Sequence, residues 1–446
     1  MSRLVMLPLL LLTLLLLAAT AFIAPASRVN AEGACVFPFT PTTYEDLRDR
    51  RLFLETIELA AFNLLFPGDE YFGLPDIELG PRDARYTQAG QVPPVLLKAI
   101  AYVESSITQS GSSTPFGSIG PSLIAFDCGH GIAQVTTGMT YPNGEEGRGS
   151  PQQALVATHY AYNIARGANI LVDKWNDAPE EKPIAGIDTL GHPLVLENWY
   201  FAVWAYNGFT GPGANRSNHP LDPIYGSWPR MPYSCGPDDD GLGHNRGNYP
   251  YQELVFGCAT NPPVLDGERL WASQEITLPN LNDPLFYTPL SLDNFVFPYT
   301  RMDILTPQPF HIDQTLAPDP ALRDRVLGKP QLVLNTEQIT VEYTNELSPG
   351  FGFAHVANMG SGVLPYYAVA SVPWVTVLPY TGVAVGLDMP CTEDSPCDRF
   401  GHVGFIVWPR DIPPGVNAFQ IVVQALGTGE SKVIHINLNP ASAQSP

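Results

Sequence analysis

Apolar residues along this chain follow two different periods, and the change from one to the other divides the protein. From about residue 44 to residue 176 they recur at helical spacing. Residues 44–66 carry Leu47, Leu54, Ile57, Ala61, Leu64 and Leu65 at that spacing. Residues 93–104 open on Pro93-Pro94, which suits a first helical turn, and set Leu97, Ile100 and Glu104 on one side. Residues 151–176 form a second long amphipathic pattern, with Ser150 as cap and Pro151 as first helical residue. Residues 194–206 hold Trp199, Phe201, Val203 and Trp204 and read as a buried helix. A loop rich in Gly, Asn, Pro and Asp covers residues 208–248, a length common in functional or disulfide-tied loops.

Between residues 261 and 330 no period is sustained, and a Pro/Asn/Asp-rich linker or bridging segment is expected. After Pro330 the apolar positions alternate. Six short runs, at 331–334, 339–343, 374–377, 403–407, 419–423 and 432–436, are separated by Pro and Gly turns. This predicts an all-β immunoglobulin-like sandwich over residues 331–438 and a disordered tail over 439–446. The run Trp374-Val375-Thr376-Val377, followed by Gly382, resembles BACON-like modules in architecture. No internal repeat is visible.

A length of 446 residues implies two or three domains, and 45% hydrophobic with 15% charged residues describes a globular protein. The first residues change the picture of location. Arg3, a Leu-rich run from Leu7 to Ile23, and the small-residue sites Ala24-Pro25-Ala26 and Val29-Asn30-Ala31 predict a signal peptide over residues 1–31. An uncleaved membrane anchor is the alternative, and contact with a membrane is expected only in that case. A secreted or envelope-associated protein follows. The net charge is −21, and loss of Arg3 and Arg28 with the leader takes it to −23. Such a surface repels nucleic acid and anionic lipid, so neither is expected as a partner. It gives no long-range attraction to an anionic cell wall either.

Six cysteines in an exported chain favour disulfides over metal, and no Cys-x-x-Cys pair supports zinc. Of the 15 possible pairings, position favours Cys391–Cys397 around a short loop and Cys235–Cys258 around a Gly/Asp-rich one. Cys35 is left to pair with Cys128. Asp238-Asp239-Asp240-Gly241 lacks the later ligands of a calcium loop and reads as a solvated acidic loop. His159, His192 and His219 show no metal spacing, and His130 reads as a turn histidine. No metal and no cofactor is expected.

Four segments carry candidate chemistry: a helix ending in Glu104-Ser105, the turn Gly131-Ile132-Ala133-Gln134, Ala205-Tyr206-Asn207, and Tyr249-Pro250-Tyr251. Their order resembles the lytic transglycosylase / goose-type lysozyme superfamily, the SLT-like domains that cut the glycan of bacterial peptidoglycan. The resemblance spans residues 90–257, within a helical domain expected over 35–260. It implies a multidomain protein: an α-helical lysozyme-like catalytic domain followed by the immunoglobulin-like sandwich. It also implies cleavage of the MurNAc–GlcNAc β-1,4 bond, with Glu104 as general acid and then base, giving 1,6-anhydro-MurNAc ends. An acid closing a core-facing stripe is a suitable proton donor, because desolvation keeps a carboxyl protonated.

By the same resemblance Ser105 and Gln134 hold substrate or the carboxyl, and Gly131 lets the backbone approach the sugar. Tyr206 packs beside the acid and Asn207 orients the 2-acetamido group. The late tyrosine is Tyr249 or Tyr251, and the family's Tyr-Pro pairing favours Tyr249. Asp127 is either a second catalytic carboxylate, as in goose-type hydrolases, or a turn residue before Cys128. The turn reading is favoured, and with it transglycosylation over hydrolysis. The gap from Glu104 to Gly131 implies an insertion around residues 112–126. Rival readings are a hydrolytic muramidase or chitinase-type glycosidase and a non-catalytic wall-binding protein. The sandwich would hold the enzyme at the wall, space it from a membrane, or bind carbohydrate or protein.

Overall fold

The computed structural model describes residues 35–140, 148–181, 184–208, 217–236, 244–280, 303–343, 347–390 and 398–440. The expected signal segment, the Cys391–Cys397 loop, the acidic run at 238–241 and the tail beyond residue 440 lie outside them. Residues from Cys35 onward belong to one compact unit. No described helix is long and apolar enough to cross a membrane.

The helical part contains α1 (Arg51–Ala61), α2 (Pro94–Ser105), α3 (Pro151–Thr158), α4 (Tyr160–Glu181), α5 (Tyr200–Tyr206) and α6 (Tyr251–Thr260). Helix α2 starts at Pro94, where a missing N–H costs nothing. It ends on Ser106 at φ 57°, a left-handed residue that stops the helix one turn past Val103. Its Leu96, Leu97, Ala99 and Ile100 are buried between α1 and α6. A capping box opens α3: Ser150 Oγ accepts from Gln153 N while Gln153 Oε1 accepts from Ser150 N.

The pattern predicted a single helix over 151–176, whereas the structure breaks it at His159, which is extended at φ −127°, ψ 119°. The imidazole Nδ1 of His159 accepts from Ala161 N at 3.1 Å and so restarts the helix as α4. The first predicted helix is likewise shorter than its stripe, because left-handed residues bound it, Arg50 at φ 55° before its first turn and Asn63 at φ 55° after its last.

Four two-stranded ribbons edge this body: β1 (Thr42–Tyr44) with β4 (Ile119–Pro121), β2 (Ile77–Leu79) with β3 (Tyr86–Gln88), β5 (Ile184–Ala185) with β8 (Asp303–Ile304), and β6 (Val264–Leu265) with β7 (Glu268–Arg269). The β1–β4 ribbon ties down residues 119–121, inside the stretch where an insertion is expected. Residues 261–280 and 303–330 are not the extended linker that their composition suggests. They lie back on the helical body, strapped by Glu197. This fully buried carboxylate accepts from Thr277 N, His311 N and His311 Nδ1 at 2.7–2.9 Å. A short helix, α7 (Leu322–Leu327), ends the strap.

The remaining strands are β9 (Leu332–Leu334), β10 (Gln338–Tyr343), β11 (Gly350–Asn358), β12 (Val363–Ala370), β13 (Val375–Val377), β14 (Thr381–Val385), β15 (Gly401–Val407), β16 (Ala418–Ala425) and β17 (Ser431–Pro440). They form a five-stranded sheet in the order β10-β17-β16-β12-β14 and a four-stranded one in the order β13-β15-β11-β9. All neighbours are antiparallel except β10 and β17. Inward residues alternate along β15 and β16, and the rings of Phe405 and Phe419 meet from opposite sheets at 5.7 Å.

Both sheets and the helices share a continuous hydrophobic core. Arg148, just before α3, donates from Nε to Tyr367 Oη at 2.8 Å and from Nη2 to Ala368 O at 2.6 Å. Tyr367 Oη donates in turn to Gly149 O, and Tyr380 Oη accepts from Gly149 N.

Candidate active site

Glu104 stands on the last turn of α2, half-buried, where the helix meets the start of α6. Tyr251, the first residue of α6, donates its hydroxyl to Glu104 Oε1 at 2.6 Å. Burial pushes the Glu104 carboxyl up to about 7, against the pull of the Tyr251 hydrogen bond and of the Arg246 charge, with a small push from Asp127. Arg246 Nη2 donates to Val103 O, the carbonyl just before Glu104.

The turn at 131–134 faces this corner and is held from behind. Gly131 adopts φ +63°, and a Cβ there would lie 2.5 Å from Gln109 Oε1 and 2.6 Å from Asn163 Nδ2. Those two buried amides fix the turn: Gln109 Oε1 accepts from Ile132 N, Asn163 Oδ1 from Ala133 N, and Asn163 Nδ2 donates to His130 O. Ser105 Oγ lies 2.9 Å from Ile132 O and 3.1 Å from Ala101 O, so it clamps helix to turn. Gln134 folds back on its own turn, Nε2 donating to Gly131 O at 2.8 Å. Tyr206 donates to Ala133 O at 2.7 Å. The bare Gly167 permits this, since a Cβ there would sit 2.4 Å from Ala133 Cβ and 3.0 Å from the Tyr206 hydroxyl.

The structure thus brings Glu104, Ser105, Gly131, Gln134 and Tyr206 together. Asn207 caps α5 beside them, exposed, its backbone N–H donating to Ala205 O. Tyr249 does not join them. Its hydroxyl meets His244 Nδ1 at 2.8 Å and its ring packs on Tyr233, while Tyr251 occupies the place at the acid. Pro250 caps α6, so the residue after it, not the one before, begins the helix and turns inward.

Asp127 is exposed and accepts from Gly129 N at 3.3 Å, a turn contact within its own loop. His130 is fully buried, donates from Nδ1 to Cys128 O, and is pushed down to about 4 by burial, so it is neutral. Cys35–Cys128 and Cys235–Cys258 are both bonded; the first anchors the loop that carries Asp127 and the turn.

Gln109, Asn163, Gly167 and Arg246 had no signal in the sequence, since buried amides and single arginines match no motif. Among the described residues no three His, Cys, Asp or Glu side chains gather as a metal site. A hollow of about 620 Å³, lined by Phe72, His159, Tyr162, Arg323 and Gly427 among others, lies away from Glu104.

No family model matches the chain, and no curated protein sequence matches it. Among solved structures, the ASH / PapD-like domain of human CEP192 aligns over 30% of this chain and 99% of its own length. Identity is 10% and the TM-score 0.19, too low to carry an argument about fold or function.

Proposed function

We propose that this protein is an exported lytic transglycosylase that cuts the MurNAc–GlcNAc β-1,4 bond of peptidoglycan. The observation that carries the reading is Glu104: a carboxyl raised to about 7, hydrogen-bonded by Tyr251, and facing a backbone turn built to a fixed shape. A carboxyl of that kind is about half protonated at neutral pH and can donate to a glycosidic oxygen.

In the proposed cycle Glu104 gives its proton to the leaving oxygen as the C1–O bond breaks. The substrate's 2-acetamido oxygen bonds to C1 and carries the positive charge. Glu104, now a carboxylate, takes the proton of the muramyl 6-hydroxyl. O6 then displaces the acetamido oxygen, closing a 1,6-anhydro ring and leaving Glu104 protonated. No second carboxylate is needed, which suits an Asp127 engaged in its own turn.

The test is mass spectrometry of peptidoglycan digested by the secreted form and by Glu104→Gln. Anhydro-muramic ends, absent from the variant digest, are expected. Reducing ends would replace this reading with hydrolysis and direct attention to Asp127. An undigested polymer would leave a wall-binding protein.

A further inference from the structure

The hollow of about 620 Å³ lies where three parts of the fold meet: the helical body, the strap at α7 and the five-stranded sheet. Its floor is aromatic. Phe66 stacks on Tyr162 with ring centroids 4.4 Å apart, and Phe72 meets the same ring edge-on at 4.9 Å. Gly427, at φ +83°, brings the sheet's edge down beside the Tyr162 hydroxyl; a Cβ there would lie 2.4 Å from that oxygen. The hydroxyl makes no hydrogen bond among the described residues.

Two opposite charges line this hollow without pairing. Arg323 donates from Nε to Leu65 O at 2.6 Å. Asp69 Oδ1 accepts from Tyr71 N and Phe72 N at 2.8–2.9 Å. Neither forms an ion pair among the described residues, whereas Arg50, Arg85, Arg230 and Arg325 each do. Both charges act on the Tyr162 hydroxyl, in opposite senses. His159 beside them is pushed down to about 3 by burial, so it adds no charge.

We propose that this hollow binds a zwitterionic amino acid with a large apolar side chain. Its carboxylate would meet Arg323, its ammonium Asp69, and its side chain the rings of Phe66, Phe72 and Tyr162. The volume and the place, at a junction between parts of a fold, are those of small-molecule sites, where a few polar groups converge over apolar walls. A guanidinium that spends one N–H on a carbonyl keeps its other donors for a carboxylate. The Tyr162 hydroxyl, pushed up to about 12 by burial, stays protonated and adds a donor. A ligand with one charge would satisfy one wall and meet a like charge on the other. A neutral ligand would leave both charges unpaired. The site stands apart from Glu104, so this inference does not depend on the cleavage reading.

The test is calorimetric titration of the secreted form at pH 7 with three probes that share one ring. They are phenylalanine, phenethylamine, which lacks the carboxylate, and 3-phenylpropionate, which lacks the ammonium. Phenylalanine should bind, and each analogue should bind about fivefold more weakly, the upper end for a solvent-exposed ion pair. Arg323→Gln should make phenylalanine bind no tighter than phenethylamine. Asp69→Asn should make it bind no tighter than 3-phenylpropionate. Arg323→Lys and Asp69→Glu keep the charges and should keep part of each preference. No binding of phenylalanine, an analogue that binds as tightly in the unaltered protein, or preferences that survive both neutral substitutions would overturn the proposal.

Discussion

At the scale of single residues, opposed effects meet on one carboxyl. Desolvation raises Glu104 to about 7, while the Tyr251 hydrogen bond and the Arg246 charge favour its ionised form. On the proposed function, catalysis by the protonated acid should persist below about pH 7 and fall about tenfold per unit above it. Tyr251→Phe takes a donor from the carboxylate but none of the burial, so the ionised form loses support and the pKa moves further up. The alkaline limb of kcat/KM should shift upward by about one unit, the value of a hydrogen bond to a charged group. Tyr249→Phe, whose hydroxyl meets His244 instead, should leave that limb in place. A limb that moves with Tyr249 and not with Tyr251 would contradict the geometry.

At the scale of elements, the 131–134 turn is a backbone shape enforced by side chains from three directions: Gln109, Asn163 and Ser105. Gly131→Ala forces a left-handed alanine and drives its Cβ into both amides. The cost should be about 2–4 kcal/mol by urea unfolding, the strain of the backbone added to the displaced hydrogen bonds. A loss below about 1 kcal/mol would mean that the amides yield and the turn is not rigid.

Much at this scale was legible in the sequence. The double proline and the Leu97–Ile100 stripe place α2 and set Glu104 at its end, because helix starts and core faces are local properties. Ser150-Pro151 likewise marks the start of α3. Other features were not legible, for equally physical reasons. The break at His159 depends on one imidazole accepting from a backbone N–H, which no periodicity reports. The choice of Tyr251 over Tyr249 depends on which residue follows the cap. The described strap residues, 261–280 and 303–330, are held by groups far away in sequence, Glu197 and Asp188 among them, so their composition reads as a linker although their backbone is tied down.

At the scale of the whole molecule, the sheets are not a module hung on a spacer. Arg148 passes a charge between them and the helical body, bonding Tyr367 and Ala368 and lying 5.1 Å from the rings of both Tyr367 and Tyr380. Tyr44 reaches Pro390 O from β1, and Tyr160 reaches Val326 O in α7. Burial of these tyrosines at the joint makes each part's core depend on the other's. Unfolding should therefore be a single cooperative event. Tryptophans report on both sides: Trp199 and Trp204 lie in the helical body, Trp374 and Trp408 among the strands. Arg148→Gln removes one charged donor to two acceptors and its ring contact, at a cost of about 2 kcal/mol. If the joint couples the two parts, that variant lowers one shared Tm, and variants that keep tryptophan on only one side report the same shift. Two separate transitions, or a shift confined to the strands, would mean that the sheets fold alone and the contact with the helical body is incidental.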